Sequence, residues 1–226
     1  MSNLRQTIIQ TIMTKPYLTG PQLEQIIAPL NTTKDQFISQ TNKTLDPIGL
    51  ILRACTSDYD DQEYFGICQI YEDPNGKEGL GIRAEIVQLY YKFLELLING
   101  QNNDDAPITV GKLLDIAPDN ITQSVAQDGL NQLKSLGYID IVNDNVRMGP
   151  RGLLEFLPKF SQKSLESEES NSRKCQICFD IFLAGFKCSR CSCIIHKRCF
   201  ERYSRDRENP PCPQCGCTEP FIPYGI

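Results

Sequence analysis

Four pairs of soft metal ligands stand between Cys175 and Cys217. They are Cys175 and Cys178, Cys188 and Cys191, His196 and Cys199, and Cys212 and Cys215, each pair separated by two residues. The gaps between the pairs are nine, four and twelve residues. A two-residue gap lets both side chains of one tight turn reach the same ion, and zinc takes four tetrahedral N and S ligands. Eight ligands therefore imply two zinc ions. One such pair arises by chance, but four within about forty residues do not. A segment this short cannot build a sufficient apolar core and needs a staple. Structural zinc supplies on the order of 10–16 kcal/mol in small peptides at neutral pH, so the metal would be part of the fold. Residues 175–217 carry a formal +3 from their side chains, which seven ionised thiolates and two zinc ions bring close to neutral.

Nine of the eleven cysteines lie in this segment, which leaves Cys193 and Cys217 over. Cys193 rivals Cys191, but the two-residue gap after Cys188 matches the other pairs. Gly216 lets the backbone turn tightly after Cys212-Pro213-Gln214-Cys215, which leaves Cys217 outside the knuckle. A catalytic thiol needs an activating base, and the one histidine of the chain is already spent as a ligand. Cys55 and Cys68 stand alone among apolar residues and read as small buried hydrophobes.

The ligand order resembles that of RING and PHD modules, in which the pairs interleave. By that likeness the first ion takes Cys175, Cys178, His196 and Cys199. The second takes Cys188, Cys191, Cys212 and Cys215. A PHD finger usually carries a Trp before its seventh ligand; this chain has no Trp, and Glu208-Asn209-Pro210-Pro211 precedes Cys212. A RING-type ubiquitin ligase presents an apolar residue inside the first pair and a Pro inside the last, where a ubiquitin-conjugating enzyme docks. Ile177 and Pro213 stand at those places, and Phe200 and Tyr203 follow Cys199 where they can line the groove between. Held between two ligands, Ile177 is expected to point outward. Many active RING domains place Arg or Lys directly after the last ligand, and here that position is Gly216.

The elements that must carry this module read as α+β, two tandem winged helices before a small zinc-stabilised RING-like domain. Apolar residues Leu4, Ile8, Ile9, Ile12 and Met13 have helical spacing. Pro16 ends that helix, and Thr19 with Pro21 starts a second. A third covers Asp35 to Asn42, and strands Ile48–Cys55 and Glu63–Tyr71 flank the acidic loop Ser57-Asp58-Tyr59-Asp60-Asp61. After the turn Asp73-Pro74-Asn75-Gly76 the order repeats. Arg83–Ile98, Val110–Ile116 and Ile121–Leu136 are helical, and Tyr138–Val142 and Val146–Met148 are strands across Asn143-Asp144-Asn145. Gly149-Pro150 opens a last helix to Phe160. The expected boundaries are 1–80 and 81–160 for the winged helices, 161–174 for a Ser-rich linker, 175–217 for the zinc domain and 218–226 for a tail.

Winged helices bind DNA or protein, and a DNA reader loads its third helix with basic residues. Ile121–Leu136 has only Lys134 and Asp128 as charges, and the earlier third helix sets Lys34 and Lys43 against Asp35. Residues 1–174 carry a formal −7. Protein docking is therefore expected, with no strong direct DNA binding by the winged helices alone. No run of about 18 apolar residues is present and no secretory signal is legible, so a membrane location is not expected and a reducing compartment is.

Tandem winged helices, a short linker and Cys-x2-Cys, His-x2-Cys and Cys-Pro-x-Cys in a C-terminal module together resemble the non-SMC element 1 family. The resemblance covers nearly the whole chain, and the four-residue gap before His196 is its most specific part. It implies a nuclear subunit of the SMC five-six complex that acts in DNA repair by recombination. It also implies a MAGE-like and a kleisin partner, the former supporting a RING-type ubiquitin ligase activity. A zinc-held scaffold without enzymatic activity is the alternative.

Overall fold

The structure is a computed structural model that describes residues 3–70, 82–99, 107–158, 174–205, 207 and 209–225. The turn at Asp73–Gly76 and the linker 161–173 lie outside the described residues. The chain is α+β, two winged helices in tandem before a cysteine-rich module. Residues 1–57, 62–92 and 108–158 form one compact unit. Residues 58–61, 93–107 and 159–226 form a second.

The first winged helix contains α1 (Asn3–Met13), β1 (Leu18–Thr19), α2 (Gly20–Ile27), α3 (Lys34–Leu45), β2 (Leu50–Thr56) and β3 (Glu63–Gln69). The start of α2 is set by Thr19, whose backbone N–H donates to Gln22 Oε1 at 2.9 Å. Thr33 caps α3 by accepting from the Gln36 N–H. The strands are antiparallel in the order β1-β3-β2. Strand β1, only two residues long, is an addition to the expected pattern. Asn42 locks α3 to β2. Its side chain accepts from the Leu52 N–H at 2.8 Å and donates to the Leu52 carbonyl at 3.1 Å. The core gathers Ile8, Ile12, Leu23, Phe37, Leu52 and Phe65.

The second winged helix contains α4 (Ala84–Asn99), α5 (Val110–Asp115), α6 (Gln123–Ser135), β4 (Ile139–Val142), β5 (Asn145–Met148) and α7 (Pro150–Glu155). Thr109 and Thr122 cap α5 and α6. Gly137 ends α6 at φ +79°, and the Tyr138 N–H returns to the Leu133 carbonyl at 2.9 Å. Asn143 and Asp144 both take the left-handed conformation that a tight hairpin turn requires. Ile86, Leu89, Leu113, Leu130, Leu133 and Tyr138 are buried.

The cysteine-rich module contains β6 (Gly185–Cys188), β7 (Ile194–His196), α8 (Lys197–Ser204) and β8 (Phe221–Tyr224), with the strands antiparallel in the order β7-β6-β8. The expected tail after Cys217 is therefore corrected. Its residues pair with β6 from Gly185↔Tyr224 to Cys188↔Phe221, so the module runs to Tyr224. Pro223 is tolerated because β8 is an edge strand.

Candidate metal centres

The β6–β7 hairpin decides where the ligands fall. Gly185 pairs with His196 and Lys187 with Ile194, so Cys188 lies at the turn end of the hairpin and His196 at its open end. Three residues of strand separate these ends by about 10 Å. Two clusters result. Cys175, Cys178, His196 and Cys199 form one; Cys188, Cys191, Cys212 and Cys215 form the other, and within each the ligand atoms lie within 4.8 Å of one another. These are the two sets that the likeness to RING and PHD modules implies. Each can hold a metal ion, and the donors, seven thiols and one imidazole, suit a soft or borderline cation.

The knuckles share one construction. The Ile177 N–H donates to Cys175 Sγ at 3.5 Å, and the Arg190 N–H donates to Cys188 Sγ at 3.4 Å. Backbone N–H groups aimed at a sulfur favour the thiolate that a metal needs. At Cys175 burial pushes the thiol up, but the hydrogen bonds to His196 and to backbone N–H groups outweigh it and bring the pKa down to about 6. At Cys188 burial again opposes the backbone donors, which win, and the pKa falls to about 6. After each of two knuckles the chain turns left-handed: the Phe179 N–H returns to the Cys175 carbonyl at 2.9 Å, and the Gly216 N–H to the Cys212 carbonyl at 2.8 Å. Their φ angles are 62° and 72°.

His196 ends β7, and Cys199 lies in the first turn of α8. Nδ1 of His196 faces Cys178 Sγ at 3.3 Å and Cys199 Sγ at 3.9 Å. Nε2 faces the Ile181 carbonyl at 3.0 Å and the Asp58 carboxylate at 3.2 Å. Phe182 stacks on the ring at 5.5 Å between centroids. Asp58, far away in sequence, is a site residue that spacing could not reveal.

Of the two spare thiols, Cys193 is buried in the module core, and burial holds it far above the usual thiol range. Cys217 is closer to the second centre than its place outside the knuckle suggests. Its Sγ lies 3.4 Å from Cys188 Sγ, whereas Cys215 Sγ lies at 3.8 Å. The facing Cys188 sulfur, with burial, raises the Cys217 pKa to about 12.

The expected docking residues are placed unequally. Pro213 is exposed on its knuckle. Ile177, expected to point outward, is half-buried and packs against the cysteine cluster. Phe200 is half-buried between Phe186 and Phe221, at ring distances of 4.9 and 5.0 Å. Tyr203 donates its hydroxyl to the Pro211 carbonyl at 2.7 Å. Phe179, not singled out from the sequence, is 67% exposed. Its signal was positional, since it stands where the other knuckle has Gly216.

Comparison with known proteins shows what these features are similar to. Residues 175–215 match the model of a RING-like domain. The chain is 23% identical over 231 residues to the Drosophila melanogaster protein named non-structural maintenance of chromosomes element 1 homolog, covering 96% of this chain and 95% of that one. The Homo sapiens protein of the same name is 19% identical over 225 residues, 95% of this chain and 83% of that one. A solved structure titled Nse1-Nse3-Nse4 complex contains a chain that superposes with a TM-score of 0.79 at 16% identity, covering 96% of each chain. With relatives of one name along nearly its whole length, a shared fold, and the eight-ligand pattern in its RING-like segment, the chain is similar throughout to the non-SMC element 1 proteins.

Proposed function

We propose that the chain is a subunit of the SMC five-six complex that binds two zinc ions and acts as a RING-type ubiquitin ligase. The observation that carries the reading is the pair of interleaved four-ligand centres within residues 175–215. Zinc fits the donors: one imidazole and seven thiols, in groups of four with no position left open, make structural rather than catalytic sites. The solved relative is titled as a complex of Nse1, Nse3 and Nse4, which supports a MAGE-like and a kleisin subunit as partners of this chain as well. A nuclear location and a role in recombinational DNA repair accompany that assignment.

The module performs no covalent chemistry in this reading. It holds a ubiquitin-charged conjugating enzyme beside a substrate lysine, and the rate gain comes from proximity and orientation. Pro213 and Phe179 supply exposed apolar surface on two knuckles, while Ile177, Phe200 and Tyr203 shape the ground beneath. Gly216 favours the second reading, a zinc-held scaffold. It is exposed, and among the described residues nothing lies within 4 Å of where a side chain there would begin, so the position offers no basic group of its own.

The test is ubiquitin transfer by the complex reconstituted with its MAGE-like and kleisin subunits. Phe179→Ala is expected to reduce transfer about thirtyfold, the equivalent of about 2 kcal/mol lost at a docking anchor. Being exposed, the same change should move stability by less than about 1 kcal/mol. Absence of transfer by the wild-type complex across a panel of conjugating enzymes would place the scaffold reading first.

A further inference from the structure

We propose that Asp58 is a positioning residue for the first metal centre, its carboxylate fixing the tautomer and orientation of His196. The inference rests on the metal reading above. A neutral imidazole offers one lone pair, and here Nδ1 faces the sulfur atoms of Cys178 and Cys199. The proton must then sit on Nε2. Two acceptors receive it there, the Ile181 carbonyl at 3.0 Å and Asp58 Oδ2 at 3.2 Å. Both side chains are more than nine-tenths buried, so water does not compete for the contact. A carboxylate behind a metal-binding imidazole holds the ring in register and raises its basicity as a ligand.

Asp58 is itself held in place. The Leu183 N–H donates to Oδ2 at 3.4 Å, and Arg198 pairs with Oδ1 at 3.3 Å. Lys197 pairs with Asp61 of the same loop. Thus Leu183, just before β6, and Lys197 and Arg198, at the start of α8, grip the loop whose carboxylate supports His196. Residues 58–61 follow β2 of the first winged helix in sequence yet group with the cysteine-rich module in space. The module therefore draws one essential group from outside its own stretch of sequence.

The experiment uses the full chain purified with its metal. Elemental analysis of the wild type first counts zinc; fewer than two ions per chain would count against the metal reading and not against Asp58. Each variant is then titrated with a competing chelator. In Asp58→Ala one of the two ions should leave at about 10–100-fold lower chelator concentration, the loss typical of a removed outer-shell partner, while the other leaves as in the wild type. Asp58→Asn keeps an acceptor oxygen and should fall between. It also keeps the shape of the side chain, so it carries the test should the alanine variant fail to fold. Because His196 is the one histidine, ring-nitrogen NMR reports its state directly, and Asp58→Ala should weaken the protonated-Nε2 signature. Arg198→Ala, which cuts the ion pair to Oδ1 and leaves the contact to His196, should shift metal release far less than Asp58→Ala does. Wild-type release by Asp58→Ala would show that the Ile181 carbonyl suffices. Equal losses in Asp58→Ala and Arg198→Ala would show that Asp58 only docks its loop. Either result overturns the proposal.

Discussion

At Phe179 and Gly216 the chain meets the same backbone demand with different side chains. Both close a knuckle by turning left-handed, and only glycine does so without a steric cost. An L-residue there costs about 1–2 kcal/mol, so an exposed phenylalanine held at φ 62° is conspicuous. This is why Phe179, rather than the half-buried Ile177, makes the cleaner probe of docking. Truncating Ile177 would disturb the cysteine cluster as well as the surface. The ligands themselves were legible, because a knuckle is local and its two-residue gap is written into the chain. What the spacing could not convey was the return of Cys217 to Cys188, which depends on the path after the knuckle. The two readings of the second centre separate by mutation. Cys217→Ala should keep two zinc ions per chain, whereas Cys215→Ala should lose the second or hold it far more weakly in a chelator titration. The reverse pattern would exchange the ligand.

At the scale of elements, the β6–β7 hairpin keeps the two centres apart by placing Cys188 and His196 at opposite ends. Gly185 is what lets the strands close there. A Cβ at this position would lie 2.4 Å from the Ile195 carbonyl oxygen and 2.9 Å from His196 Cα, both backbone atoms that cannot step aside. Gly185→Ala should therefore push β7 away and weaken the first centre selectively, seen as one ion released early in the same titration. Equal release from both centres would mean that the hairpin does not set their separation. The helices and wings of the two winged helices were readable from apolar periodicity and caps, since those signals are local. Strand β1 was too short to show a period. Strand β8 was hidden by Pro223, which argues against a strand anywhere but at a sheet edge. The Asp58–His196 contact joins segments that only the tertiary fold brings together.

At the scale of the molecule, the charge balance and the pairing of cations point away from nucleic acid. Lys34, at the start of α3, is held by Glu24 at 3.1 Å and Glu63 at 2.6 Å. Arg147 on the wing is held by Asp140 at 2.7 Å, and Arg151 by Glu155 at 2.7 Å. A cation already paired gains little from a phosphate. The chain alone should therefore bind duplex DNA no more tightly than about 10⁻⁴–10⁻⁶ M at physiological salt, the range of non-specific binding. Nanomolar binding in a fluorescence titration would reverse that reading. No helix among the described residues is long and apolar enough to cross a membrane. Whatever partners the surfaces hold, the C-terminal module should depend first on metal, because ions held in the two interleaved clusters would tie its distant segments together. Native mass spectrometry of the intact chain tests this most directly. Two zinc ions should be bound per chain, and His196→Ala should lose one of them. A single ion in the wild-type chain, or two ions retained after His196→Ala, would contradict the interleaved assignment.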